Sequence, residues 1–294
     1  MALEIRPTGG PTGAIVTGFD RDHVTDAVKA RIHAAFLEYG VLVFTGFDDL
    51  DARTQMAIGA MFGDHAPPHE IPELRHPDQP ALRLLAANGG KPVADDDPDA
   101  DKVIGQIPWH ADRAYIENPH RASALRAIVI PDVDGQTGWV DTAAAYRSLP
   151  SDIKRKMQGL RIIHSYAASY GKQSMVANPG KMLPEASHPL EFVHPDNDMP
   201  VLALSPATAK EIVGLPKEEA EELFDTLCRH VTAEENAYVH QWKPGDVVIW
   251  DNWRMLHRAY GHPKRYARVM HSLPILGTMR LGRLVSEGEA ADAA

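Results

Sequence analysis

A single cysteine, Cys228, in 294 residues excludes an intramolecular disulfide and any multi-cysteine zinc or iron–sulfur centre. It sits in the helical pattern "EEAEELFDTLCRH", where a buried packing role is expected. Long apolar runs are missing too, since no stretch approaches the roughly 18 residues that suggest a membrane span. The opening "MALEIRPTGG" lacks the basic start and apolar run of a signal peptide, so a cytoplasmic location is expected. Positive charge is in short supply. With 30 Lys and Arg against 40 Asp and Glu, the net charge of −10 argues against nucleic acid or an anionic membrane as the main partner. A small-molecule partner fits better, and a homo-oligomer is left open. No G-x-S-x-G elbow is present for a serine hydrolase. "HEIPELRH" fails as a zinc-hydrolase HExxH, because the residue four after His69 is Glu73 and Pro72 breaks the helix required.

What is present is an ordinary globular composition, 44% apolar and 24% charged, long enough to bury a large core without staples. The opening reads as strand, helix, strand, helix. "AIVTGFD" is a strand; Val24, Val28, Ile32, Ala35 and Phe36 fall at helical spacing; Gly40 stops that helix; "VLVFTGF" follows as a buried strand. "DARTQMAIGAMFG" reads as the second helix. From Ala66 to Pro108 the chain is rich in proline, glycine and acid, and "ADDDPDAD" reads as a solvated, mobile loop around 90–105. A calcium-binding EF-hand loop is not expected there, since neither frame starting at Asp95 or Asp97 supplies both the required glycine and the final acid. Beyond Pro108 short strands predominate, interrupted by the helix "PKEEAEELFDTLCRHV". The expected fold is mainly β with flanking helices, a β-sandwich or jelly-roll, as one domain over 1–294.

Three His-x-Asp pairs occur: His76-Pro77-Asp78, His110-Ala111-Asp112 and His194-Pro195-Asp196. The two that enclose proline read as turns. In a strand, residues i and i+2 share a face, so His110 and Asp112 are expected to point together into the barrel. A third ligand would complete the two-histidine, one-carboxylate set of a non-haem Fe(II) oxygenase. His257, His262 and His271 are the candidates, and "GDVVIWDNWRMLHRAYGHPKRYARVMHS" favours His257. His164, His188, His194, His262 and His271 are read as structural or surface groups, and Trp250 as core packing.

"WHAD", Thr137 placed 25 residues after Asp112, "WDNWRMLH" and Arg268 in "RVMH" together resemble the taurine dioxygenase/2,4-dichlorophenoxyacetate dioxygenase family of Fe(II)/2-oxoglutarate-dependent oxygenases. "VIGQIPWHADRAY", "AYVHQWKPGDVVIWDN" and "LHRAYGHPKRYARVMHS" are similar in particular to the aryloxyalkanoate dioxygenase branch. The resemblance implies a double-stranded β-helix (jelly-roll) with Fe(II) held by His110, Asp112 and His257. It implies that Thr137 and Arg268 bind 2-oxoglutarate, with O2 as second cosubstrate. The chemistry implied by the resemblance is a hydroxylation or oxidative cleavage that releases succinate and CO2. A planar guanidinium suits a carboxylate, and a hydroxyl adds a further hydrogen bond.

The chain departs from the family four positions after Arg268. Relatives that bind an anionic substrate carry a second arginine there, and this chain has Ser272. A mostly hydrophobic, ring-containing substrate is therefore expected in preference to taurine, with Gln106, Tyr115, Ser272 and "HSYAASYGK" near it. Lys172 or Arg254 could still meet an anion. Three alternatives are weighed: a taurine or alkylsulfonate dioxygenase, a non-catalytic metal-binding jelly-roll protein, and an Fe(II) halogenase. Asp112 argues against the last, because a halogenase replaces that carboxylate by a small residue.

Overall fold

Four consecutive apolar residues, Val41 to Phe44, are all buried, and they divide by parity between two cores. Leu42 and Phe44 pack with the helix residues Ile32, Phe36 and Ile58 and with Phe62 in the turn that follows. Val41 and Val43 face the other way, toward Trp139, Trp242, Trp250 and Met255. The two-residue period of a strand produces this split, and a strand buried on both faces must be apolar throughout. Val247 and Ile249 against Val248 and Trp250 repeat the pattern.

The chain is described here by a computed structural model that covers residues 2–47, 49, 51–166 and 184–285. Its largest sheet has seven strands, in the order Glu4–Pro7, Ala14–Thr17, Val41–Phe44, Val247–Asp251, Ala122–Val129, Val269–Ile275 and Arg83–Leu85. A four-stranded sheet, Tyr238–His240, Thr137–Asp141, Met255–Pro263 and Val103–His110, shares the tryptophan-rich core with it. A second four-stranded sheet carries Ala209–Val213, Arg161–Ser165, Glu185–Pro189 and Arg283–Leu284. The result is the expected double-stranded β-helix, mainly β with helices outside. Among the described residues strand pairing is antiparallel except between Ala14–Thr17 and Val41–Phe44, which the intervening helix Asp26–Tyr39 joins as a crossover.

That helix begins and ends as its sequence predicts. The Thr25 hydroxyl accepts from the Val28 amide, and Gly40 closes the helix at φ 71°. Gly40 is required twice over, because a Cβ there would lie 2.7 Å from Met255 Sδ. The helix Lys217–Val231 lays Leu223, Phe224, Leu227 and Val231 on Ile162 and Ile212. Full burial of each such side chain contributes about 1.5–3 kcal/mol. Cys228 is half-buried beside them, and burial pushes its thiol up to about 12.

The acidic segment is tied down on one side. Arg265 pairs with Asp101 at 2.6 Å and Asp95 at 3.6 Å, and Lys264 reaches Asp99 at 3.8 Å. Among the described residues no helix is long and apolar enough to cross a membrane.

Candidate active site

His257 lies opposite His110 across the antiparallel pair Met255–Pro263 and Val103–His110. Two residues later the register slips, so that Ala259 faces Ile107 and Tyr260 faces Gln106. The extra residue is a bulge beside Pro108, a position where the lost ladder hydrogen bond is tolerated. Its consequence is directional. Gly105 and Ile107 line the inner cavity, and the bulge turns His110 inward as well, although it is an odd number of residues from them.

Asp112 reaches the same point by a different route from the one its sequence suggests. The strand ends at His110, and Asp112 lies in the turn that follows, beside Arg113 in the left-handed region at φ 54°. Alternation along a strand therefore does not align the pair. Asn252 does: its Oδ1 accepts from the Asp112 amide at 2.8 Å, and its Nδ2 donates to the Asp112 carbonyl at 2.9 Å. The Ser205 hydroxyl holds the Ala111 amide at 3.1 Å.

The three side chains converge. Asp112 Oδ1 is 3.7 Å from His110 Nε2 and 3.7 Å from His257 Nε2. Potential ligand atoms of all three lie within 4.8 Å of one another. His110 Nδ1 faces the Pro108 carbonyl at 2.8 Å, which leaves Nε2 free to ligate. Ser123 donates to Asp112 Oδ2 at 2.6 Å and leaves Oδ1 toward the histidines. Burial pushes His257 down to about 3, aided by neighbouring His110, so its ring is uncharged at neutral pH. Burial works to raise Asp112, but His257, His110 and the Ser123 hydrogen bond outweigh it and hold the carboxyl at about 2. A neutral imidazole and an ionised carboxylate are the states a divalent cation needs. The donor set of two nitrogens and one oxygen on one side suits Fe(II) with open positions.

The same cavity, about 650 Å³, reaches Thr137 and Arg268. Thr137 is buried; its Oγ1 accepts from Trp242 Nε1 at 3.1 Å, so the hydroxyl proton is available to a ligand. Arg268 donates through Nε to the Gly135 carbonyl at 3.2 Å. Among the described residues it has no carboxylate partner, and burial alone lowers it to about 10, so it stays charged at neutral pH. A metal-ligand cluster and an uncompensated guanidinium thus share one chamber.

Comparison with known proteins agrees with this geometry. Residues 4–273 match the profile described as "Taurine catabolism dioxygenase TauD, TfdA family". The chain belongs to that family. It is an Fe(II)/2-oxoglutarate-dependent dioxygenase, an oxidoreductase that consumes O2. A (S)-phenoxypropionate/alpha-ketoglutarate-dioxygenase from Sphingobium herbicidovorans is 32% identical over 286 residues, covering 94% of this chain and 96% of that one. An alkylsulfatase from Acinetobacter baylyi is 29% identical over 291 residues, covering 95% and 87%. The crystal structure of AAD-2 in complex with Mn(II) and N-oxalylglycine superposes with a TM-score of 0.76 at 26% identity, covering 96% of this chain and 100% of that one.

The TauD/TfdA framework still leaves the substrate side to this chain's own residues. Tyr115 and Ser272 line the cavity. Tyr115 packs on Tyr166 with ring centroids 4.9 Å apart, and burial pushes its phenol up to about 12. Gln106 does not line it. The bulge places Gln106 on the outer side, exposed and opposite Tyr260, so its distance of four residues from His110 does not bring it to the site. Arg254 is not in this chamber either; it is buried against Asp141 at 3.3 Å and the Leu37 carbonyl at 2.9 Å. Lys172 and "HSYAASYGK" beyond Tyr166 lie outside the described residues. His262, read as structural, contributes to the cavity wall. Three further lining residues had no signal in the sequence: His120, Arg113 and Arg83. Trp250 packs its ring 4.6 Å from that of His257, combining the expected core role with support for the site.

Proposed function

We propose that this dioxygenase oxidises a small, mostly hydrophobic, ring-bearing carboxylate by hydroxylation or by hydroxylation-triggered cleavage. In this reading His110, Asp112 and His257 hold Fe(II), while Thr137 and Arg268 hold the distal carboxylate of 2-oxoglutarate. The observation that carries it is the coexistence, in one chamber, of the His110–Asp112–His257 cluster and an Arg268 that has no carboxylate partner among the described residues.

The bound iron supplies the redox chemistry, coupling four-electron reduction of O2 to oxidation of 2-oxoglutarate to succinate and CO2 and oxidation of the substrate, two electrons each. The chain's own residues bind, orient and exclude water. Arg268 and the Thr137 hydroxyl fix one end of the cosubstrate, which orients the keto-acid end toward Asp112 and the two histidines. Trp250 and Leu125 close the wall behind His257, while Leu84, Leu85, Ile107 and Tyr115 present apolar surface to a substrate. A chamber with apolar walls and a few polar anchors is the usual form of a small-molecule site.

The test is substrate-dependent succinate formation with 2-phenoxypropionate, phenoxyacetate, hexyl sulfate and taurine. Turnover strongest with the aryloxy acids is the expected result. Efficient turnover of taurine with the aryloxy acids inert contradicts the proposal, and preference for hexyl sulfate moves the substrate to an alkyl sulfate ester.

A further inference from the structure

Arg121, Arg126 and Arg254 are buried, and Arg83 and Arg268 are half-buried. Arg121 pairs with Asp251 at 2.6 Å and Asp196 at 2.7 Å. Arg254 has Asp141, and Arg126 donates to the backbone carbonyls of Asp49 and Asp51. These guanidinium groups are matched by the protein itself. Among the described residues Arg268 and Arg83 have no carboxylate partner, and both line the same chamber as the His110–Asp112–His257 cluster.

Arg83 is the more extreme of the two. Among the described residues its side chain makes no ion pair, and its Nε is buried with no hydrogen-bond partner. Burial lowers its pKa, and the charge of Arg113 lowers it further; Asp112 opposes this, but that carboxylate is turned to the two histidines. Arg83 is half-buried with its Nε cut off from water; withdrawing a cation from water without a partner is costly, and such groups are ordinarily paired in the functional state. 2-Oxoglutarate cannot supply that partner if its distal carboxylate is held by Arg268 and its keto-acid end by the metal.

Position decides what Arg83 can meet. In the strand pair Arg83–Leu85 with Val269–Ile275, Arg83 lies directly opposite Ser272. Directly opposed residues share a face, and both of these line the chamber. A small hydroxyl at 272 leaves room for the longer side chain across from it. Arg113 and the Tyr115 phenol stand near, and burial keeps that phenol a neutral hydrogen-bond donor.

Resting on the dioxygenase assignment, we infer that Arg83 is the receptor for an anionic group on the substrate, a carboxylate or a sulfate. The guanidinium needed for an acid is thus provided from the neighbouring strand, and Ser272 does not signify a neutral substrate. The body of the molecule lies along Leu84, Leu85 and Ile107, with its anion on Arg83 and its oxidised carbon toward Asp112.

The experiment compares wild type, Arg83→Gln and the cross-strand swap Arg83→Gln/Ser272→Arg. The probes are phenoxyacetate and 2-phenoxypropionate, their uncharged primary amides, and hexyl sulfate. Two readouts are taken: KM from substrate-dependent succinate release, and perturbation by each probe of the anaerobic Fe(II)·2-oxoglutarate absorption. Wild type is expected to favour an acid over its amide, or the sulfate over all amides. Arg83→Gln is expected to raise KM for the anion by about 30-fold or more, leaving the amides and the affinity for 2-oxoglutarate near wild type. The swap is expected to restore part of the preference. If Arg83→Gln does not fold, Arg83→Lys replaces it, with a smaller loss confined to the anions. An unchanged acid-to-amide ratio, a wild type perturbed by no anion, or a loss that falls on 2-oxoglutarate overturns the inference. The dioxygenase assignment fails separately, when wild type shows neither the absorption nor any succinate.

Discussion

His110 and His257 face each other across two antiparallel strands, with ring centroids 4.0 Å apart, although 147 residues separate them in the chain. Neither strand ends in a way that would set Asp112 between them. That task falls to Asn252, which grips both the amide and the carbonyl of Asp112 and also donates to the His120 carbonyl at 3.1 Å.

Asn252 is accordingly a positioning residue. Asn252→Ala is expected to weaken Fe(II) binding by about 10- to 100-fold, the usual consequence of losing a group that orients a metal ligand. Anaerobic metal titration followed by the 2-oxoglutarate absorption checks this. Unchanged metal affinity would show that the turn holds Asp112 without it.

Arg268→Ala is expected to raise the apparent KM for 2-oxoglutarate by an amount equivalent to about 2–5 kcal/mol, because a carboxylate loses its charged partner. Thr137→Val removes one hydrogen bond to 2-oxoglutarate, besides the one from Trp242 Nε1, and should cost about 0.5–1.5 kcal/mol of cosubstrate binding. Steady-state kinetics at saturating substrate separates the two. An Arg268 variant with wild-type affinity for 2-oxoglutarate would remove that residue from the cosubstrate site.

The fold has its own pH sensitivity at Asp251, which is fully buried between Arg121, His194 and Arg254. Burial works to raise this carboxyl, but the Arg121 charge and the His194 hydrogen bond outweigh it and lower the pKa. A folded-state pKa below the unfolded value of about 3.9 gives stability that is present above that pH and is lost as pH falls through the folded value. Asp251→Asn is expected to destabilise the protein at pH 7 by about 3–5 kcal/mol and to flatten the acid limb of its stability curve. Thermal melts across pH measure both. An unaltered acid limb would mean that other carboxylates govern acid unfolding.

Much of this site was legible in the sequence because short signals agreed with long ones. The helix Asp26–Tyr39 was readable from its apolar spacing together with Thr25 and Gly40 at its ends. "WHAD", Thr137, "WDN", His257 and Arg268 stood out as a spaced series, and the fold brings His110, Asp112, Thr137, Trp250, His257 and Arg268 to one chamber. The geometry behind them was less visible. The strand Met255–Pro263 carries His257, yet "MLHRAYGHP" mixes polar groups with glycine and proline and has no clear alternation. The bulge at Pro108 turns Gln106 outward, which counting residues back from His110 cannot foresee. Arg83 belongs to a three-residue strand inside a proline- and glycine-rich stretch that reads as loop. Its importance arises only from the pairing with Ser272.

The most direct test of the central claim is the visible absorption that a keto acid chelated to Fe(II) gives under anaerobic conditions. Wild type should develop it with one equivalent of Fe(II) and excess 2-oxoglutarate. His257→Ala should abolish it, whereas His262→Ala, which alters only the cavity wall, should retain it. A His257→Ala protein that keeps the absorption, alongside a His262→Ala protein that loses it, would contradict the account.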